Sequence, residues 1–141
     1  MALHRLSGSC ACGAVALEVG LVREPAAYSP RSCDCDFCRA RGAAWLSDPA
    51  GFLHLRTARD LKAERQGSEQ AEFLSCAACG TLLAVRWQED SGNAHAAVNA
   101  RNLARRDEFA GEQAASPKLL GAGEKTARWK ALWFPEVEVT S

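Results

Sequence analysis

The chain has 141 residues, 48% hydrophobic and 24% charged, so we expect residues 1–141 to form one globular domain with a single core. Lys plus Arg equals Asp plus Glu at 17 each, which argues against nucleic acid or an anionic membrane surface as a partner. No apolar run approaches the roughly 20 residues of a membrane span, and the first residues lack the apolar segment of a signal peptide, so we expect a cytoplasmic location.

Two segments alternate between apolar and polar residues in the manner of half-buried strands. They are residues 14–19 and 81–87, and in the second the alternation predicts Leu83, Val85 and Trp87 on one face. Each segment follows a turn of cysteine and glycine, and glycine supplies the backbone freedom that such a turn needs. Cysteines therefore sit at turns that begin strands.

The remaining elements predict a mainly β fold with few short helices. Shorter strand candidates cover residues 43–46, 52–56, 71–75 and 94–99, separated by Gly, Pro, Ser and Asp. Short helical turns are predicted for 58–65 and for 102–106, the latter capped by its first residue. Segment 128–134 places Trp129 and Trp133 on one helical face before a proline ends it.

Seven cysteines are the strongest chemical signal in the chain. Their groups are Cys10 with Cys12, then Cys33 with Cys35 and Cys38, then Cys76 with Cys79. An odd number of cysteines in a reducing compartment is poorly explained by disulfides. Thiolates one to four residues apart can reach one zinc ion from a single turn, so metal binding is the leading interpretation.

The spacing favours two zinc ions of different kinds. Structural zinc has four protein ligands, so the two pairs of cysteines form one closed site in the natural partition. The group of three cannot fill a tetrahedron, and its fourth position goes to water, a substrate, or a distant histidine or carboxylate. Redox or buried free cysteines remain the alternative for the pairs, and a second structural site for the group of three.

Three motifs resemble the glutathione-dependent formaldehyde-activating enzymes and their centromere-protein-V relatives. They are Gly-Ser-Cys-Ala-Cys-Gly at 8–13, Cys-Asp-Cys-Asp-Phe-Cys-Arg at 33–39 followed by Gly42, and Phe-Leu-Ser-Cys-Ala-Ala-Cys-Gly at 73–80. The order and separations are similar to those of the family, and all seven family cysteines have a counterpart.

The resemblance implies a fold, a metal arrangement and an activity. The implied fold is a zinc-bound β-tent over residues 1–141, a single domain of this family. Cys10, Cys12, Cys76 and Cys79 are similar to its structural zinc ligands, and Cys33, Cys35 and Cys38 to its catalytic zinc ligands. The implied activity is that of a carbon–sulfur lyase on a thiol–aldehyde adduct such as S-(hydroxymethyl)glutathione.

Binding of glutathione calls for arginines, because its carboxylates are well matched by guanidinium groups. Arg39 and Arg41 follow the three-cysteine group and are candidates, with solvated surface arginines as the alternative. Asp34, where family members often carry His or a small polar residue, and Asp36 add negative charge that disfavours an anionic substrate. Trp45 is expected in the core.

Two other functions compete with the enzyme. A non-enzymatic zinc-stabilised protein-interaction module would have four protein ligands at each zinc. Nucleic-acid binding is suggested only by the centromeric relatives, and acidic neighbours offset the local arginine cluster at 101–106. The three histidines, His4, His54 and His95, stand outside any ligand motif, so we assign none of them to a site.

Overall fold

The computed structural model describes residues 3–33, 36–58, 60–65, 70–115 and 121–140. Strands predominate in these residues and helices are few and short, so the predicted mainly β fold is confirmed. The strands are β1 (His4–Ser9), β2 (Val15–Leu21), β3 (Arg31–Cys33), β4 (Ala44–Leu46), β5 (Phe52–Thr57), β6 (Leu61–Arg65), β7 (Glu72–Cys76), β8 (Leu82–Gln88), β9 (Ala94–Asn99), β10 (Gln113–Ala115) and β11 (Glu136–Thr140). The helices are α1 (Asp36–Ala40) and α2 (Ala122–Leu132), and short 3-10 turns lie at Pro25–Ala27, Ala100–Asn102 and Arg106–Glu108.

The strands of the described segments form two sheets. One has four strands in the order β1-β2-β5-β11, and the other has seven in the order β10-β3-β4-β9-β8-β7-β6. Neighbours are antiparallel except at two edges, where β11 runs parallel to β5 and β10 parallel to β3. Both predicted cysteine turns close antiparallel hairpins, β1–β2 in the first sheet and β7–β8 in the second.

The seven-stranded sheet is covered on both faces by apolar side chains. A first cluster lies between the two sheets and includes Leu6, Val15, Leu17, Leu53, Leu55, Leu74, Leu83, Ala84, Val98 and Phe134. A second cluster, on the other side of this sheet, comprises Cys38, Ala43, Trp45, Ala71, Leu82, Val85, Ala97 and Trp133. The inner strands are thus shielded from water on both sides.

Strand β8 differs from its predicted half-buried form. Leu83 packs in the first cluster and Val85 in the second, so the predicted single apolar face was wrong. The reason is an irregularity in the pairing with β7, where the register shifts between Leu74 and Ser75. An extra residue in one strand interrupts the alternation of faces.

One of the two predicted helical turns was wrong, and the other differs in its cap. Within 58–65 the chain forms β6, because Leu61 to Arg65 pair with β7 and this long-range pairing overrides a weak local preference. Within 102–106 a turn is present, since the Arg106 N–H donates to the Leu103 carbonyl at 3.2 Å, but Asn102 does not cap it. The capping side chain is Asn99, which accepts from the Arg101 N–H in the preceding 3-10 turn. The Asn102 side chain instead donates to the Leu82 carbonyl at 2.8 Å.

Helix α2 agrees with the predicted helical segment near the C-terminus. Trp129 and Trp133 stack with ring centroids 4.8 Å apart, and both pack on the second cluster. The helix begins at Ala122, earlier than the sequence pattern predicted, and ends at Leu132, shortly before Pro135. In the part of the chain that the structure describes, no helix is long and apolar enough to cross a membrane.

Candidate metal centre

The first cysteine pair sits in the turn between β1 and β2. The Gly13 N–H donates to the Cys10 carbonyl at 3.1 Å, and Gly13 has a φ of +81°, a conformation that glycine adopts without strain. The Val15 N–H donates to Cys10 Sγ at 3.3 Å. This turn therefore holds one sulfur against a backbone donor, which favours its thiolate form.

The second pair sits in the turn between β7 and β8 and repeats this geometry. The Gly80 N–H donates to the Cys76 carbonyl at 2.8 Å, and Gly80 has a φ of +78°. In each turn, the N–H of the first cysteine donates to the carbonyl five residues later, from Cys10 to Val15 and from Cys76 to Thr81. The two cysteine turns thus share this closing backbone hydrogen bond and a glycine of positive φ.

The two turns bring four sulfurs together. The thiol sulfurs of Cys10, Cys12, Cys76 and Cys79 all lie within 4.8 Å of one another. Cys12 Sγ is 3.6 Å from Cys10 Sγ and 3.7 Å from Cys76 Sγ. A tetrahedral zinc with bonds of about 2.3 Å has sulfurs about 3.8 Å apart, whereas a disulfide would need about 2.05 Å. The four thiols fit one metal ion, and their geometry is consistent with zinc.

Burial and charge in this cluster also fit a cation. Cys10 and Cys76 are buried in the first cluster, while Cys12 and Cys79 are exposed. Hydrogen bonds from the Thr81 side chain and backbone lower the pKa of Cys79 to about 5. The Ala14 N–H lowers the pKa of Cys12, but the neighbouring cysteines outweigh it and raise this pKa to about 11. Four thiolates need a positive charge among them.

Sequence analysis missed Thr81 as a member of this site. Its Oγ1 lies 3.1 Å from Cys79 Sγ and accepts a hydrogen bond from the Ala11 N–H at 3.2 Å. One hydroxyl therefore joins the two turns. The available signal was its place directly after Gly80, where a hydroxyl can reach back to the preceding turn.

Two members of the three-cysteine group, Cys33 and Cys38, fall on described elements other than the two cysteine turns. Cys33 ends β3 and Cys38 lies in α1, while Cys35 and the side chain of Cys33 are outside the described residues. Cys38 is only 1% exposed and belongs to the second cluster. Four interstrand spacings separate β3 from β7, a distance on the order of 20 Å. Cys33 and Cys76 thus lie on well-separated strands of this sheet, and convergence of the three cysteines remains a prediction.

Aromatic rings pack in and against the second cluster, to which Cys38 belongs. The Phe37 and Phe73 rings lie 4.7 Å apart, and Trp45, which is 7% exposed, lies 6.0 Å from Phe73. The guanidinium of Arg41 sits 3.7 Å over the Phe37 ring, and Arg41 also pairs with Glu64 at 3.9 Å. Arg41, a predicted substrate ligand, thus has partners within the protein.

The histidines and the other candidate arginine lie away from the four thiols. His54 lies 3.6 Å from Glu136 and 3.5 Å from Glu138, on the four-stranded sheet. His95 Nε2 lies 2.8 Å from a carboxylate oxygen of Glu89. His4 and Arg39 are exposed. Among the described residues, the group that could hold a metal contains cysteines alone.

Comparison with known proteins identifies the family of this chain. A family model described as glutathione-dependent formaldehyde-activating enzyme matches residues 5–116, which include all seven cysteines. No curated protein matches the chain. A crystal structure of a Rhodobacter sphaeroides protein, a structural-genomics target, is 26% identical with a TM-score of 0.53, over 95% of this chain and 99% of that one. Because the family model spans well over half of the chain, this protein belongs to the glutathione-dependent formaldehyde-activating enzyme family.

Proposed function

We propose that this protein is a zinc-dependent carbon–sulfur lyase-like enzyme that acts on a thiol–aldehyde adduct such as S-(hydroxymethyl)glutathione. The observation that carries the proposal is the family match over residues 5–116, which includes the three cysteines that the four-thiol cluster does not use. We further propose that residues 1–141 form one zinc domain that works in the cytoplasm, where seven thiols stay reduced.

The proposal gives the two cysteine groups different roles. Cys10 and Cys12 come from the four-stranded sheet, and Cys76 and Cys79 from the seven-stranded sheet, so a zinc ion on these thiols would link the two sheets. A closed site with four protein ligands leaves no position for a substrate, and its role is structural. Cys33, Cys35 and Cys38 remain for the catalytic ion.

The three-cysteine group supplies the chemistry that the reaction needs. When bound there, zinc would offer an open position for a thiolate sulfur or an aldehyde oxygen. In the cleavage direction, the adduct hydroxyl loses its proton, the carbon–oxygen double bond forms, and the carbon–sulfur bond breaks. The electron pair of that bond leaves with sulfur, which takes up a proton to give the free thiol and formaldehyde.

Cys38 is the member of this group whose side chain the structure describes. It is buried in the cluster that contains Trp45 and against which Phe37 and Phe73 pack, so these residues would keep water away from its thiol. A low local dielectric strengthens the electrostatic interactions of the thiolates and of the developing charge on sulfur. The aromatic rings thus contribute by excluding water.

The metal content per chain, measured on anaerobically purified protein, tests whether the two cysteine groups hold separate zinc ions with different roles. We expect about two zinc per chain in the wild type and about one in Cys35→Ser, which should keep its fold and lose turnover of glutathione with formaldehyde. The matched variant Cys76→Ser should lose the other ion together with thermal stability. Global unfolding of Cys35→Ser, or retained turnover, would contradict the assignment of the catalytic site.

A zinc-stabilised module without enzymatic activity is the second candidate. The burial of Cys38, at 1% exposed, favours it, because a closed metal site needs no access from solvent. Cobalt substitution separates the two functions. An open three-thiolate site should change its visible absorption when an external thiol is added, whereas a site with four protein ligands should not respond.

A further inference from the structure

The four thiols of the candidate zinc site differ in their access to solvent. Cys10 and Cys76 are buried in the first cluster, at 3% and 1% exposed, whereas Cys12 and Cys79 are exposed. Each cysteine turn therefore contributes one buried and one exposed sulfur. Oxidation of a cysteine depends on its thiolate character and its exposure, and bound zinc keeps its cysteine ligands as thiolates. Exposure then makes Cys12 and Cys79 the ligands that a water-soluble oxidant reaches first.

The two exposed sulfurs belong to different turns and lie close together. Cys12 Sγ and Cys79 Sγ are within 4.8 Å of each other. A disulfide needs about 2.05 Å, so the two sulfurs would have to approach by less than about 3 Å. Rotation of two exposed side chains can supply such a movement, whereas the close packing of the core restricts the buried sulfurs.

A hydrogen bond joins the two turns without involving a metal ion. The Ala11 N–H, between Cys10 and Cys12, donates to Thr81 Oγ1 at 3.2 Å. Thr81 follows Cys79 by two residues, just before β8. If a metal ion left the site, this hydrogen bond would still hold the exposed sulfurs near each other. Such proximity favours a disulfide over further oxidation of a single sulfur.

We propose that the four-thiol site is a peroxide-sensitive switch, in which Cys12 and Cys79 form a reversible disulfide and zinc is released. One of the two thiolates attacks an oxygen of hydrogen peroxide, the oxygen–oxygen bond breaks, and a sulfenic acid and hydroxide form. The second thiolate attacks the sulfenic sulfur, the sulfur–sulfur bond forms, and a second hydroxide leaves. The two thiolates together lose two electrons, which reduce the peroxide to two hydroxides.

The disulfide would replace the metal as the link between the sheets. Cys10 and Cys76 alone supply only two of the four ligands that a structural zinc needs, so the ion leaves. The bond from Cys12 to Cys79 then joins the hairpin of the four-stranded sheet to that of the seven-stranded sheet. A cross-link that closes so long a loop stabilises the fold by restricting the unfolded chain. The oxidised protein should therefore melt above the chelated, reduced protein.

Peroxide treatment of the zinc-loaded protein tests the switch. A chromophoric chelator measures the released zinc, and free thiols are alkylated before digestion with trypsin. The sequence places Cys10 and Cys12 in tryptic peptide 6–23, Cys76 and Cys79 in 66–86, and the other three cysteines in 32–39. We expect peptide 6–23 linked to 66–86 through Cys12 and Cys79, in an amount that rises with zinc release. Dithiothreitol with added zinc should reverse both changes.

Cys12→Ser and Cys10→Ser form a matched pair, since each removes one ligand from the same turn and they differ in exposure. Cys12→Ser should abolish the linked peptides, and Cys10→Ser should keep them. Thermal melting reports whether Cys10→Ser, a substitution in the core, folds; if it does not, the position of the disulfide in the wild type still decides. Zinc release without linked peptides, linkage through a buried cysteine, equal linkage in both variants, or no reaction at peroxide concentrations that oxidise glutathione would overturn the switch.

Discussion

The Thr81 hydroxyl lies 3.1 Å from Cys79 Sγ, and the same oxygen accepts a hydrogen bond from the Ala11 N–H. Because a lone pair on Thr81 Oγ1 accepts the hydrogen bond from the Ala11 N–H, the hydroxyl hydrogen is free to donate to Cys79 Sγ. Thr81 therefore stabilises the Cys79 thiolate and fixes the distance between the two cysteine turns. In metal sites, such outer partners orient the ligands and tune their affinity.

Thr81→Val should weaken zinc binding at the four-thiol site by roughly tenfold or more, because it removes the hydroxyl and keeps the shape. Competition with a chromophoric chelator measures this affinity. Thr81→Ser keeps the hydroxyl and serves as the control, with affinity near the wild type. Equal affinities for the two variants would show that the hydroxyl has no part in metal binding.

Removal of metal should destabilise the fold, because the four thiols come from both sheets. If zinc is present at about 1,000 times its dissociation constant, it contributes about 4 kcal/mol to the free energy of unfolding. For a chain of this size, that loss lowers Tm by roughly 10–15 °C. Calorimetry before and after chelation measures the change, and re-addition of zinc should restore the original Tm.

Gly8 leaves no room for a side chain, although its conformation needs no glycine. A Cβ at this position would overlap the Asn102 carbonyl oxygen and come within 2.8 Å of Leu103 Cα. Because both contacts are backbone, we expect Gly8→Ala to lower the free energy of unfolding by about 2 kcal/mol or more.

Gly111→Ala is the matched control for that substitution, since a Cβ there would meet nothing within 4 Å. Urea unfolding of both variants should leave Gly111→Ala within about 0.5 kcal/mol of the wild type. A Gly8→Ala variant as stable as its control would mean that the two backbone segments can separate at little cost.

The Asp48 carboxylate is the centre of a buried hydrogen-bond group. It accepts hydrogen bonds from the Tyr28 hydroxyl at 2.5 Å and from the N–H groups of Val22 at 3.0 Å and Ala50 at 2.9 Å. Burial alone would raise the pKa of Asp48, but these donors outweigh it and lower this pKa below the usual 3.8. Burial and then Asp48 raise the pKa of Tyr28 above the usual 10.0.

These shifts predict a loss of stability at both ends of the pH range. A lowered carboxyl pKa contributes stability that is present above about pH 4 and is lost as the pH falls through the folded value. A raised phenol pKa contributes stability that is present below about pH 10 and is lost as the pH rises through the folded value. Tyr28→Phe should lose about 1–2 kcal/mol near neutral pH and lack this alkaline loss.

Urea unfolding of the wild type and Tyr28→Phe across pH 3 to 11 measures both effects. The wild type should lose stability relative to the variant above about pH 10, where the phenol ionises. If the free energies of unfolding of the two proteins changed in parallel at alkaline pH, this would contradict the role of the Tyr28 hydroxyl.

Sequence patterns located most of the central strands and the cysteine turns. The alternation of apolar and polar residues in 14–19 predicted β2 correctly. Val15, Leu17 and Val19 are buried on one face of this strand. The prediction fails at β6, whose residues carry several charges and form a strand only through pairing with β7. Thr81 was missed as a site residue for a similar reason, since its partner Ala11 lies far away in sequence.

The sequence by itself determined the grouping of the cysteines, the glycines of their turns, the mainly β class and the family. These depend on residues close together in the chain, where local geometry and ligand spacing leave few choices. Only the tertiary structure decided that the sulfurs of Cys12 and Cys76 lie 3.7 Å apart across 64 residues. Contacts of this kind follow from the order of strands in the two sheets, which local sequence does not encode.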